Sequence, residues 1–378
     1  MKKLALYIHV PFCVQKCLYC DFLSMPASQA VQQQYVSVLL QELSYWQQKT
    51  ADAYRLETVF LGGGTPTVLQ PALLYQIGEA VRQFSMADSV EYTIEANPGT
   101  LTAEQVSVMR QMGVNRVSLG LQSAQPGELQ ALGRIHTYED FIHSYDLLRK
   151  SGFSNINVDL MADIPEQTMD SYADTLDRIL QLSPEHISAY SLIVEEGTPY
   201  YEMQEQGKLQ IPPEETDRQM YAWTKERLAD GGYERYEISN YARVGYVCRH
   251  NLVYWQMEEY LGVGLGAASY VGGNRFSNER DLSSYLSQAA DAHITASHLV
   301  TPKEEKEEYV FLGLRKTQGI HLKQYRNRFG ADFRTTYRKI LPRLLEQGLL
   351  AESENHDRIY LTEYGMDVSN VVLAEFLL

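Results

Sequence analysis

The sequence predicts an α/β fold: an open or partial (β/α)6 barrel followed by a helical, winged-helix-like C-terminal domain. Three observations lead there. Six short β-rich runs alternate with segments of helical period up to about residue 193, the alternation stops near residue 212, and from Thr301 three helical runs end in a hairpin pattern. Alternating βα units imply a parallel sheet with right-handed crossovers, which suits a partial barrel. A doubly wound sheet shares that alternation, and the pattern alone leaves it open.

The strands are expected at 4–10 (LALYIHV), 57–63 (ETVFLGG), 90–97 (VEYTIEAN), 115–121 (NRVSLGL), 155–161 (NINVDLM) and 186–193 (HISAYSLI). Helical spacing fills 29–48, 138–152 and 169–182, the second closing on Gly152 as a helix C-terminus often does. After residue 212 comes one more helix (ETDRQMYAWTKERLADGGY), then a stretch rich in Gly, Tyr and Asn up to about residue 280. Helical runs at 303–315, 321–329 and 331–348 precede a hairpin at 349–362. A chain of 378 residues exceeds one ordinary core, and two domains are expected, at 1–285 and 296–378.

A formal net charge of -15 argues against a general nucleic-acid binder, which needs surplus Lys and Arg. Residues 315–343 carry nine basic residues against one acid, Asp332, and are read as a solvated or partner-facing basic helix. The opening MKKLALYIHVPFC mimics a signal peptide, but its apolar run is short and broken by His9 and Pro11, so it is read as the first strand. No window reaches the roughly 20 apolar residues of a membrane span, and a cytoplasmic location is expected.

Three of the four cysteines, Cys13, Cys17 and Cys20, fall within eight residues as C-x3-C-x2-C directly after the first strand. Such bunching does not look like a secreted disulfide framework. Three thiolates fall one short of a structural zinc site, and they leave one iron of a four-iron cubane free to chelate a small molecule. On spacing alone three readings stand: iron–sulfur, zinc completed by His9 or Cys248, and a metal-free trio.

This placement of C-x3-C-x2-C resembles the signature of the radical S-adenosylmethionine (SAM) superfamily, and the resemblance extends over roughly residues 1 to 280. It implies a partial (β/α)6 radical SAM barrel with a [4Fe-4S] cluster on Cys13, Cys17 and Cys20, whose open iron binds the amino and carboxylate groups of SAM and whose electron cleaves the sulfonium. Further motifs match at strand ends: GGGTP (62–66), EANP (95–98), LGLQS (119–123), LGRIH (132–136) and NVDLM (157–161). By resemblance Tyr7, Tyr19, Gly63, Gly64, Thr65, Glu95, Gln122, Arg134 and Asp159 take SAM-binding positions. Tyr7 is placed near the cluster, Tyr19 by the adenine, Arg134 at the carboxylate and Asp159 at the ribose hydroxyls.

Within the superfamily the chain resembles the oxygen-independent coproporphyrinogen III oxidase-like group. The oxidases continue their cluster motif to a fourth cysteine, C-x3-C-x2-C-x-C, where this chain has Phe22. The CDF ending resembles instead the sister family of heme chaperones, HemW. CRHNLVYW (248–255) agrees, containing the H-N-x-x-Y-W motif associated with heme in that family. His250 is then the candidate heme ligand, with Tyr254 and Trp255 as flat faces for a porphyrin, and Cys248 is read as a small buried hydrophobe. One departure is Ala268, where many relatives have histidine within the glycine-rich segment.

The resemblance implies a heme chaperone that passes heme to membrane-bound respiratory proteins. With no span of its own, such a protein would dock peripherally on a membrane or partner, using the basic stretch 315–343 or the apolar C-terminal VVLAEFLL. A homodimer and a redox-controlling role for the cluster are compatible with this reading. Coproporphyrinogen oxidation or another radical SAM reaction on a tetrapyrrole, and DNA binding through the winged unit, are the rival readings.

Overall fold

The computed structural model describes residues 1–377. All six expected strands are present, as β1 (Lys2–Val10), β2 (Tyr54–Gly63), β3 (Met86–Ala96), β4 (Arg116–Gln122), β5 (Ile156–Ala162) and β6 (His186–Ser191). They lie side by side in the order 1-2-3-4-5-6, each parallel to the next. A doubly wound sheet reverses its order at a switch point; this one never does, so the chain winds one way around a partial barrel. The helices Gln29–Thr50, Pro71–Val81, Ala103–Met112, Tyr138–Lys150 and Met169–Leu182 return the chain between strands. Thr102, Thr137 and Thr168 each close a capping box at a helix start.

The Gly-, Tyr- and Asn-rich stretch and the residues after it extend both edges of the sheet. Short β7 (Glu234–Arg235) and β8 (Asn240–Ala242) add antiparallel beside β6, while β9 (Tyr260–Val263) pairs parallel with β1 and leads into antiparallel β10 (Ala268–Val271), β11 (Asn274–Asn278) and β12 (Ile294–Leu299). These pieces are too short for clear alternation.

Period-two alternation gives each barrel strand two faces. Leu4, Leu6, Ile8, Val59, Leu61, Tyr92, Ile94, Val117, Leu119, Ile156, Val158 and Ile187 point outward into one apolar core beneath the helices. The inward residues are polar to an unusual degree: Glu95 and Asn97 after Thr93 on β3, Arg116, Ser118 and Gln122 on β4, Asn157 and Asp159 on β5, Ser188 on β6. Burying one large aliphatic side chain is worth about 1.5–3 kcal/mol, so the outer layer holds the sheet while the inner one is left for chemistry.

The C-terminal part has its own apolar core, built on Val310, Tyr325, Phe333, Leu344, Ile359 and Phe376. A three-stranded sheet, β13 (Ile320–His321), β14 (Leu350–Glu352) and β15 (Arg358–Leu361), completes the winged arrangement in the order 13-15-14. Three expectations change here. The run 331–348 is two short helices, Phe333–Thr336 and Leu341–Glu346, the second restarting with Pro342 in its first turn. The apolar tail is largely core, with Val372, Leu373 and Phe376 buried and Val371 and Leu377 exposed. The basic stretch is partly neutralised: four of its nine basic residues, Arg326, Arg328, Arg334 and Arg343, pair with Asp332, Glu305, Glu352 and Glu375, and Arg315 stacks on Trp255. Among the described residues no helix is long and apolar enough to cross a membrane.

Candidate functional site

The inward polar faces enclose a cavity of about 520 Å3 that opens at the carboxyl ends of the strands. Its lip is the loop that carries the three cysteines. That loop closes on itself through Met25 N donating to Pro11 O at 2.8 Å and Cys13 N to Met25 O at 3.1 Å. Leu18 pins its far side, donating to Leu132 O and accepting from Tyr200 N, both at 3.1 Å. The thiols of Cys13, Cys17 and Cys20 are free, half-buried and face the cavity. Burial raises the thiol pKa of Cys17 and of Cys20, which favours metal ligation or protonation over free thiolate.

The glycines of GGGTP serve the fold as well as the cavity. A Cβ on Gly64 would lie 2.6 Å from Phe12 O, and one on Gly63, whose φ is +108°, would strike the His9 ring at 2.4 Å. Bare backbone therefore lets β2 lie against the cysteine loop, tied by Gly64 N to Val10 O (2.8 Å) and Thr65 N to Phe12 O (2.7 Å). From Thr65 a chain of bonds crosses the mouth. The Cys13 thiol sits 3.4 Å from Thr65 Oγ1, which accepts from Asn97 Nδ2 at 2.7 Å; Arg134 then donates to Asn97 Oδ1 at 2.8 Å and to Tyr19 OH at 3.0 Å. Cysteine loop, β2, β3 and the turn after β4 are thus joined around one space.

Other groups are held ready beside that chain. Glu95 accepts from Gly63 N at 2.9 Å, and burial raises its carboxyl to about 7, with that bond opposing and Asp159 adding to the rise. Asp159 accepts from Asn157 Nδ2 at 2.6 Å and from Ser118 Oγ at 3.2 Å, which fixes its carboxylate at the cavity wall. Gln122 has φ +72° at a bulge where β4 slips against β5, and its Oε1 is buried without a partner, as is Nε of Arg134. A left-handed non-glycine and two orphaned polar atoms in one place mark strain and unmet hydrogen-bonding demand.

The donor set suits a cluster. Three cysteines of one loop face one cavity, and neither residue considered as a fourth ligand is available: both ring nitrogens of His9 are bonded, to Tyr7 OH (2.9 Å) and Leu23 O (2.8 Å), and Cys248 lies at the opposite end of the barrel, against Glu91. Among the described residues no three His, Cys, Asp or Glu side chains gather about a single point. A four-iron cubane takes each thiolate at a different corner, and three thiolates leave one iron open.

Of the thirteen residues expected at the site, eleven line this cavity, and Tyr7 and His250 do not. Tyr7 sits below the mouth, bonded to His9. His250 is on the helix Arg249–Trp255, which closes the barrel floor. It is 1% exposed, with Nδ1 bonded to Thr58 Oγ1 at 2.8 Å and Nε2 to Tyr254 OH at 3.0 Å. Burial, with Arg116 second, pushes its pKa down to about 3, so the ring is neutral. Glu91 receives the start of that helix, accepting from Arg249 N (3.0 Å) and His250 N (2.9 Å). Ala268 is exposed and outside the cavity, so the missing imidazole leaves the lining intact.

Asn97, Arg116 and Asn251 line the cavity without having been singled out in the sequence. For Asn97 and Arg116 the signal was available: VEYTIEAN and NRVSLGLQ alternate polar with apolar, unlike the near-continuous apolar runs of doubly buried parallel strands.

The chain matches the profile of the Radical SAM superfamily over residues 7–179 and that of the HemN C-terminal domain over 300–368. It is 37% identical over 375 residues to the heme chaperone HemW of Bacillus subtilis, spanning 98% of both chains. To the heme chaperone HemW of Haemophilus influenzae it is 32% identical over 384 residues, 99% of this chain and 98% of the other. A mouse protein, radical S-adenosyl methionine domain-containing protein 1, mitochondrial, is 36% identical over 265 residues, 70% of this chain and 60% of its own. Among solved structures, coproporphyrinogen III oxidase (HemN) from Escherichia coli superimposes with a TM-score of 0.86 at 22% identity, over 100% of this chain and 90% of that one, and shares the fold.

Proposed function

This chain belongs to the heme chaperone HemW family of the radical SAM superfamily, and from that premise we propose that it binds heme, a [4Fe-4S] cluster and SAM, and delivers heme to respiratory membrane proteins. The observation that carries the cofactor part is the bond chain from Cys13 through Thr65, Asn97 and Arg134 to Tyr19, which brings the residues expected around a cluster and a nucleoside to one mouth.

Cys13, Cys17 and Cys20 would hold the cluster, which supplies one-electron reduction and a chelation point for an amino acid. The remaining tasks fall to the chain. Arg134, already aligned by Asn97 and Tyr19, offers its fork to a carboxylate, Glu95 beside the glycine turn takes an ammonium, and Asp159 accepts from ribose hydroxyls. The apolar wall of Leu132, Met161, Leu192 and Tyr200 backs Tyr19 and keeps water from the inner side of the loop.

For heme we propose His250 as the iron ligand. A neutral imidazole is the form that ligates iron, and its Nε2 would exchange the Tyr254 hydroxyl for the metal. Because His250 is sealed in the floor, binding then requires the helix Arg249–Trp255 to leave its seat, and heme uptake is expected to be slow.

The test is hemin titration of anaerobically reconstituted protein, followed in the Soret region. His250→Ala is expected to lose or displace the Soret band while retaining the iron–sulfur signal; Tyr254→Phe, which frees Nε2, is expected to speed uptake. An unchanged heme spectrum in His250→Ala removes this ligand. Protoporphyrinogen formation from coproporphyrinogen III with SAM and a reductant would replace the chaperone reading with an enzymatic one.

A further inference from the structure

The joint between the barrel floor and the winged unit holds two cations that the chain leaves short of acid. Arg315 and Lys316 follow the helix Pro302–Gly313 and run along the barrel's Tyr236–Glu237 turn, where Thr317 N donates to Tyr236 O at 3.1 Å and Glu237 and Lys316 form an isolated β-bridge. Both side chains are half-buried, and among the described residues neither makes a hydrogen bond or an ion pair. Arg315 lies over Trp255, 4.4 Å from the ring centre; its Nε is buried without a partner, and so is the indole Nε1 of Trp255.

The acids nearby do not fill this need. Glu237, which acts on Arg315, is 1% exposed and accepts from Ser239 N and Asn240 Nδ2. Glu258, which acts on Lys316, is exposed and beyond ion-pair distance, and Arg358 opposes it with a like charge. Burial therefore dominates at both cations, lowering Arg315 and pushing Lys316 down to about 8, where an ion pair would have raised them. A chain with 48 acidic residues against 33 basic ones has carboxylates to spare, so two adjacent half-buried cations without one stand out. Guanidinium, ammonium and indole N–H are all donors, and what they lack is an acceptor.

We propose that this joint is a carboxylate subsite in which Arg315 and Lys316, with the Trp255 N–H, receive a propionate of heme. The subsite rests on the heme reading of His250 above and extends it to the C-terminal unit. Trp255 ends the helix that carries His250, five residues or about 7.5 Å further along the axis, a span comparable with that from a porphyrin's centre to its carboxylates. Heme reaches His250 only when this helix leaves its seat, and the same movement lifts Trp255 from Arg315 and uncovers both buried N–H groups. The charges fit one carboxylate: Arg315, Lys316 and Arg358 against Glu237 and Glu258 leave a single positive charge, and the guanidinium fork matches two planar oxygens.

The test titrates the full-length, anaerobically reconstituted protein with hemin and with hemin dimethyl ester, which keeps iron and macrocycle but has no free carboxylate, both supplied from the same detergent and followed in the Soret region. The wild type is expected to bind hemin about tenfold more tightly than the ester. In Arg315→Met, which keeps an apolar chain over Trp255, and in Lys316→Met the preference is expected to fall by about threefold or more. Lys323→Met, which removes an exposed charge of the same basic stretch, is expected to keep it in full. Equal affinity for both probes in the wild type overturns the subsite, as does an undiminished preference in Arg315→Met or, should that variant fail to fold, in Lys316→Met. An equal fall in Lys323→Met would reduce the effect to net charge and overturn it too. His250→Ala keeps the two readings apart: an unmoved Soret band there removes the iron ligand, whereas loss of the hemin preference with the wild-type band intact removes the carboxylate subsite alone. A wild type that binds neither probe removes both.

Discussion

The mouth and the floor of this barrel are built from the same strands and behave as opposites. At the mouth the thiols are half-buried and free of disulfides, Gln122 is held in a left-handed backbone, and Arg134 and Gln122 each keep a polar atom without a partner. At the floor, Glu91, His186 and His250 are saturated with bonds, and the helix Arg249–Trp255 shuts the barrel. Folded chains satisfy buried polar groups unless something else is meant to satisfy them. The contrast therefore separates residues that hold the barrel together from residues that wait for a ligand.

The comparison breaks most sharply if the mouth turns out to be structural. The loop closes through backbone atoms of Pro11, Cys13 and Met25, and the side-chain partner of Cys17, Tyr19, is held by Arg134 as well. Cys17→Ser is therefore expected to lose iron and sulfide almost completely after anaerobic reconstitution, while the Tm of the metal-free protein moves by less than about 2 °C. Metal analysis beside calorimetry decides it, and a variant that keeps its iron would shift the ligand set elsewhere.

Much of the mouth was legible in the sequence because several of its residues stand at the ends of β-rich runs, where strand direction dictates what faces the ligand. Glu95, Gln122 and Asp159 stand at or just after strand ends, and the family resemblance marked them among the polar residues there. The floor was harder, because its residues acquire meaning from partners far away in sequence: Thr58 with His250 is a separation of 192 residues and Glu91 with His250 one of 159. H-N-x-x-Y-W could be noticed as a motif, but not that it would be folded inward with both imidazole nitrogens spent. Likewise the charge of 315–343 could not be counted from that window alone, because Arg328, Arg334 and Arg343 pair with Glu305, Glu352 and Glu375 from outside it.

The complementary change at the floor is expected to cost stability and nothing else. Glu91 is 7% exposed and joins β3 to the floor helix through two charge-assisted bonds to backbone amides. Glu91→Gln keeps the shape but removes the charge and one acceptor, and a loss of about 1–3 kcal/mol is expected in denaturant unfolding. Cluster content should be untouched. If Glu91→Gln instead lost its iron with stability unchanged, mouth and floor would not be separable in the way their bonding suggests.

The smallest effect, and the most discriminating, is the pH dependence of ligand binding at Glu95. Its carboxyl is raised to about 7, so below that pH the empty site carries a proton there, and an incoming ammonium must displace it. The sign follows from linkage: the free protein holds more protons than the complex between the ordinary glutamate value of 4.5 and about 7, so affinity for a cationic amino acid rises with pH across that window and levels off above it. The rise is at most about tenfold per pH unit, hence up to about a hundredfold between pH 5 and 7. Equilibrium dialysis of SAM over that range, kept below the region near 8 where an α-amino group loses its own proton, should show the rise in the wild type and a weak, flat profile in Glu95→Gln. A flat profile in both proteins would mean that the cation does not lie against Glu95, and the glycine turn beside it would lose its part in holding the ligand.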